Sequence, residues 1–128
     1  MNILSGIDLI EIHRLDETYK NFGSRFLNRI YDPLEVKQFN KKSNRAKPNF
    51  LAKNFAAKEA VSKVLGVGFS QGVRPKDIVV SRGYGRPPKI TLKGKAKELA
   101  TLKGIDKISL SLSDTNKLAM AVAHAITK

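Results

Sequence analysis

The stretch from Phe50 to Leu65 constrains this chain more than any other. Phe50, Leu51, Phe55, Val61, Val64 and Leu65 recur at helical spacing, and Ala52, Ala56, Ala57 and Ala60 fill the positions between them. Apolar residues three and four apart build one face of an α-helix, and alanines let a neighbouring element approach closely. Asn49 is placed to cap this helix and Gly66 to stop it, which sets its span at about 50–65. A helix this long and small-sided needs a layer to lie against.

That layer is legible mainly in the C-terminal half. Ile78-Val79-Val80-Ser81 and Lys89-Ile90-Thr91-Leu92 read as strands joined through residues 82–88. Ile108 to Ser113 alternates with period two, and Leu118 to Ile126 is a last, alanine-rich strand reached through the turn Asp114-Thr115-Asn116-Lys117. Lys95 to Leu102 reads as a helix. At the other end, residues 2–8 read as a strand whose apolar run suggests an inner position. Ile12, Leu15, Tyr19 and Phe22 then follow as a helix closed by Gly23. A short helix over Arg25 to Ile30 and a helix start at Asp32-Pro33-Leu34-Glu35 follow, with Asp as cap, Pro at the first position and Glu reaching back. Residues 41–48 are polar, basic and loop-like. The expected fold is α+β, an antiparallel C-terminal sheet packed on a long central helix, with residues 1–128 forming a single domain.

Charge narrows the partners. The chain carries a formal net charge of +13, and six of its eleven acids lie in residues 1–35. Such an excess self-repels and suits a polyanionic partner. Lysine richness is also a compositional bias that needs no partner at all. No apolar run approaches the roughly 20 residues of a membrane span, and the N-terminus lacks the pattern of a signal peptide. With no cysteine, the chain has neither disulfides nor thiolate metal ligands and fits a cytoplasmic setting. Two separated histidines, His13 and His124, argue against a zinc centre.

Two acids stand out against this background. From Lys37 to Lys63 the chain holds eight Lys or Arg and one acid, Glu59. Asp8 ends the first apolar run, where strand hands over to helix. Taken alone, Asp8 reads equally as a helix cap, Glu59 as a surface residue pairing with Lys63 one turn on, and Gly85-Arg86-Pro87 as a hairpin corner. Ser111 and Ser113 read as the outward face of a strand and Asp114 as a turn residue. Taken together, Asp8 and Glu59 form a candidate Mg²⁺-phosphate site, because hard cations take oxygen ligands and share them with phosphate.

The ordered set Gly6-Ile7-Asp8-Leu9-Ile10-Glu11-Ile12, then Phe55-Ala56-Ala57-Lys58-Glu59-Ala60 with Lys63, then Gly85-Arg86-Pro87, then Ser111-Leu112-Ser113-Asp114 resembles the holo-[acyl-carrier-protein] synthases. These are the short, trimeric branch of the 4′-phosphopantetheinyl transferases. The resemblance spans essentially the whole chain. It implies transfer of 4′-phosphopantetheine from coenzyme A to a serine of apo acyl carrier protein, with release of adenosine 3′,5′-bisphosphate, in fatty acid biosynthesis. It also implies Asp8 and Glu59 as Mg²⁺ ligands, with Glu59 and Lys63 catalytic. Lys63, Gly85, Arg86 and Pro87 would contact coenzyme A, and Arg14 would lie on the helix that docks the acidic carrier protein. A homotrimer would follow, with the site completed by C-terminal-sheet residues of the next subunit. Many relatives carry His where this chain has Asp114, so no catalytic role passes to Asp114.

The chemistry agrees with that expectation. Phosphoryl transfer depends on positioning and charge neutralisation more than on covalent help. Two carboxylates holding Mg²⁺ leave positions open for diphosphate oxygens, and Lys63, one turn after Glu59, adds positive charge. The serine proton has two candidate acceptors, Glu59 and a water held by the metal. The rival class is a small basic nucleic-acid-binding protein, which size and charge fit. The two isolated acids and the lack of an aromatic stacking motif weigh against it, so neither nucleic acid nor membrane is an expected partner.

Overall fold

The computed structural model describes residues 1–128, the side chain of Ser70 excepted. Its axis is α4 (Lys47–Leu65), the helix the alanines announce. One side of α4 lies on a three-stranded antiparallel sheet in which β5 (Leu118–Thr127) is flanked by β1 (Ile3–Glu11) and β4 (Ile105–Asp114). Strand β5 alternates, and every residue it turns inward is alanine: Ala119, Ala121, Ala123 and Ala125 are buried. Ala121, Ala123 and Ala125 meet Ala56, Ala57 and Ala60 of α4 in one core with Val61, Val64 and Leu65. Small residues on both surfaces let helix and sheet close together, as interior packing density requires.

Strand β1 departs from expectation in two ways. It runs three residues further than the apolar run indicated, to Glu11, and it sits at an edge of the sheet, not inside it. Its apolar character has another cause. Leu4, Gly6, Asp8 and Ile10 point toward α4, while Ile3, Ile7 and Leu9 lie exposed on the opposite face. Both faces are apolar, as in an inner strand, but only one is covered within the chain.

Around this core, α1 (Ile12–Phe22), α2 (Ser24–Ile30) and α3 (Pro33–Asn40) pack at the N-terminal end of α4. Their second core joins Leu15, Leu27, Tyr31 and Phe39 with Leu51 and Ala52. The expected cap of α3 is present: the Asp32 backbone N–H donates to Glu35 Oε1 at 3.0 Å. Helix α4 begins at Lys47, earlier than expected, because Pro48 fits its first turn. Asn49 is therefore inside the helix and does not cap it; its Nδ2 donates to Asp114 Oδ2 at 2.6 Å. Gly66 ends α4 in the left-handed conformation (φ 76°) that glycine adopts without strain. Strands β2 (Ile78–Ser81) and β3 (Lys89–Leu92) form a separate two-stranded sheet, and α5 (Gly94–Leu102) leads into β4.

Candidate active site

Gly6 brings the two isolated acids together. A side chain at Gly6 would collide with the carbonyl oxygen of Ala60 and press on Lys63 Cβ, so only glycine lets β1 lie this close to α4. Two residues on, Asp8 points the same way as Gly6, toward α4. It lies mid-strand opposite Ala121 and is not the cap of α1, whose N-cap position is Glu11. Lys63 reaches across from α4. Its Nζ donates to the Ile7 carbonyl at 2.6 Å and lies 3.7 Å from Asp8 Oδ1. Lys63 therefore pairs with Asp8, and the i,i+4 pairing with Glu59 does not form.

The electrostatics of the trio follow from this packing. Burial pushes the Asp8 carboxyl above its ordinary range, and Lys63 pulls it back. Glu59 is also raised, first by burial and then by the negative charge of Asp8, with Lys63 opposing. Two half-buried carboxylates that repel each other are short of positive charge. A divalent cation between them would supply it, and carboxylate oxygens are the donors that Mg²⁺ takes. The donor set therefore fits such an ion. No group of three or more His, Cys, Asp or Glu among the described residues is arranged to hold a metal, so remaining ligands would come from water or substrate.

The turn motif divides. Gly85 lines a groove of about 770 Å³ between the ends of α3 and β2 and the start of α4, together with Lys41, Lys42, Phe50, Lys53 and Arg82. Arg86 and Pro87 line a different groove of about 910 Å³, with Lys89, Lys97 and Lys107 among its cations. Neither groove is walled by Asp8, Glu59 or Lys63. Arg14 is exposed on α1, one turn before Thr18, whose hydroxyl donates to the Arg14 carbonyl. Thr18 in turn borders a groove with Phe22, Arg25, Phe26, Arg29 and Arg74. Sequence reasoning passed over Lys41, Lys42 and Lys53 as a basic loop and helix face, and over Arg25 and Arg29 altogether. The seven cations from Lys37 to Lys58, before Glu59, were the available signal for the first group.

It also missed the polar centre of the molecule. Lys58 and Glu35 are wholly buried and joined at 2.6 Å, and Asn54 Nδ2 donates to Glu35 Oε2 at 3.0 Å. Burial lowers the Lys58 ammonium and raises the Glu35 carboxyl, each opposed by its partner's charge.

A small α+β protein with an acid pair between strand and helix, a lysine beside it and separate cationic grooves has the chemistry that phosphorylated ligands require. Residues 5–123 match the family profile of the 4′-phosphopantetheinyl transferase superfamily. The chain is 42% identical over 116 residues to the holo-[acyl-carrier-protein] synthase of Vibrio cholerae, covering 91% of this chain and 90% of that one. Its fold superposes on the Neisseria meningitidis holo-[acyl-carrier-protein] synthase with a TM-score of 0.85 at 31% identity, over 97% and 98% of the two chains. It matches the Helicobacter pylori enzyme in complex with coenzyme A with a TM-score of 0.82 at 32% identity, over 96% and 100%. The chain belongs to the 4′-phosphopantetheinyl transferase superfamily and, within it, to the holo-[acyl-carrier-protein] synthases.

Proposed function

We propose that this protein transfers 4′-phosphopantetheine from coenzyme A to a serine hydroxyl of an acidic apo acyl carrier protein. The convergence of Asp8, Glu59 and Lys63 at the Gly6 contact carries the reading. The serine oxygen bonds to the phosphorus that bears the pantetheine arm, the bond from that phosphorus to the bridging oxygen breaks, and adenosine 3′,5′-bisphosphate leaves. Asp8 and Glu59 would hold Mg²⁺, which when bound neutralises diphosphate charge. Lys63, whose side chain is half exposed, would place an ammonium on the same group. Glu59 or water beside it takes the serine proton.

We assign Gly85, Arg86, Pro87 and the lysines of their two grooves to coenzyme A, and Arg14 with Arg25 and Arg29 to the carrier protein. An acidic partner complements that arginine-lined, aromatic-floored surface, where Phe22 is 57% exposed. Because neither of the turn's two grooves reaches the acid pair within one chain, a second copy is the natural source of the missing wall. The uncovered sheet face supports a homotrimer: Ile3 opposes Ile126 and Leu9 opposes Met120, and all four are exposed. No described helix is long and apolar enough to cross a membrane. A cysteine-free chain acting on a thiol-bearing substrate suits the cytoplasm, and the reaction suits fatty acid biosynthesis.

The test is the intact mass of an apo acyl carrier protein incubated with this protein, coenzyme A and Mg²⁺. A gain equal to one phosphopantetheine arm, abolished by EDTA, is expected. No gain across several carrier proteins, from folded protein, overturns the assignment.

A further inference from the structure

The buried ion pair lies one residue from the acid pair, and its geometry joins the two. Lys58 Nζ has three hydrogens to donate, and three acceptors take them: Glu35 Oε1 at 2.6 Å, the Ile78 carbonyl at 2.6 Å and the Pro75 carbonyl at 3.0 Å. Glu35 is equally committed, accepting also from Asn54 and from the Asp32 backbone. The network ties α4 to the start of α3, to the 3₁₀ turn Pro75–Asp77 and to the first residue of β2. No buried side-chain nitrogen or oxygen among the described residues lacks a partner.

A buried ion pair is a poor source of stability, because desolvation offsets its attraction. What it supplies here is direction. The face that α4 shares with β5 is alanine on alanine, and such small side chains interlock weakly against rotation about the helix axis. Three directional bonds at Lys58 fix that rotation. Consecutive helical residues are about 100° apart, so fixing Lys58 aims Glu59 toward β1. A roll of about 15° would move a carboxylate some 5–6 Å from the axis by roughly 1.5 Å. Misplacement of that size costs on the order of a hundredfold in rate.

We propose that Lys58, held by Glu35, is a positioning residue that sets the rotation of α4 so that Glu59 meets Asp8. The same ammonium keeps β2, and with it the turn bearing Gly85, Arg86 and Pro87, in fixed relation to them. This rests on Asp8 and Glu59 forming the metal site.

The experiment compares the parent with Glu35→Met/Lys58→Met, which replaces both charges by side chains of similar volume and leaves none unpaired. Melting temperature, Mn²⁺ affinity in the presence of coenzyme A (from the paramagnetic resonance of free Mn²⁺) and transfer kinetics are measured. The paired variant is expected to fold but to melt below the parent, because Asn54 and the Pro75 and Ile78 carbonyls lose a partner, and to bind Mn²⁺ roughly 10–100-fold more weakly. The transfer rate at low metal should fall in proportion while the KM for carrier protein holds. A folded paired variant with parental Mn²⁺ affinity and rate overturns the proposal and leaves Lys58 a purely structural residue. If the paired variant does not fold, Glu35→Gln/Lys58→Met carries the same test. It keeps the cap at Asp32 but removes the three bonds of the ammonium, and parental Mn²⁺ affinity in it is equally fatal. A parent that binds no Mn²⁺ beside coenzyme A removes the metal site itself, and this inference with it, which separates that failure from the other.

Discussion

Asp8 and Glu59 are held in a condition that favours the proton over the charge. Their carboxyls sit above the ordinary range, so between the unfolded and folded values the native chain binds more protons than the unfolded one. Stability without metal therefore falls as pH rises from the ordinary carboxylate range, about 4, through the raised one. Glu59→Gln removes its share of that decline. It should melt at or slightly above the parent at neutral pH, while transfer drops roughly a hundredfold or more; Asp8→Asn should behave alike. Thermal scans across pH beside transfer assays check both, and a variant that keeps parental turnover contradicts the site. Part of this scale was legible in the chain. Asp8, Glu59 and Lys63 are marked by isolation and spacing, since an acid among eight cations needs a reason. Glu35 was not, because its spacing from Asp32 already explains it as a capping residue. Its link to Lys58 spans 23 residues and exists only after folding.

At the scale of elements, the contact between β1 and α4 decides whether a site exists. Gly6→Ala must push Ala60 and Lys63 away, and overpacking of this kind costs about 1–3 kcal/mol. The variant should lose unfolding free energy by that amount and lose metal affinity more steeply than a surface change would. Unaltered Mn²⁺ binding would show that the close approach is unimportant. Most helices and strands were readable from periodicity and from the Gly and Pro that bound them, and α3 even through its cap. Strand order was not. An apolar strand reads the same whether partner strands flank it on both edges or a second molecule covers its outer face. The onset of α4 was hidden because Lys41 to Pro48 is polar enough to read as loop, although Pro is well suited to a first helical turn.

For the whole molecule, a net charge of +13 makes encounter with an acidic carrier protein electrostatic, with Arg14, Arg25 and Arg29 as its local complement. Raising ionic strength from about 0.05 to 0.5 M, which shortens the Debye length several-fold, should raise the KM for carrier protein severalfold with little change in kcat. Arg14→Glu should raise it further while leaving the KM for coenzyme A alone. Equal carrier-protein kinetics would take Arg14 off the docking surface. The exposed face of β1 and β5 predicts a trimer in sedimentation, dissociated by Leu9→Glu with loss of transfer. An active monomer would place the complete site within one chain.

The claim beneath all of these is that β1 and α4 share one cation through Asp8 and Glu59. Crystals grown with Mn²⁺ and coenzyme A test it directly by anomalous scattering. One peak is expected, at coordination distance from both carboxylates and from a diphosphate oxygen. A peak bound to only one of the two acids, or lying elsewhere in an active enzyme, would contradict it.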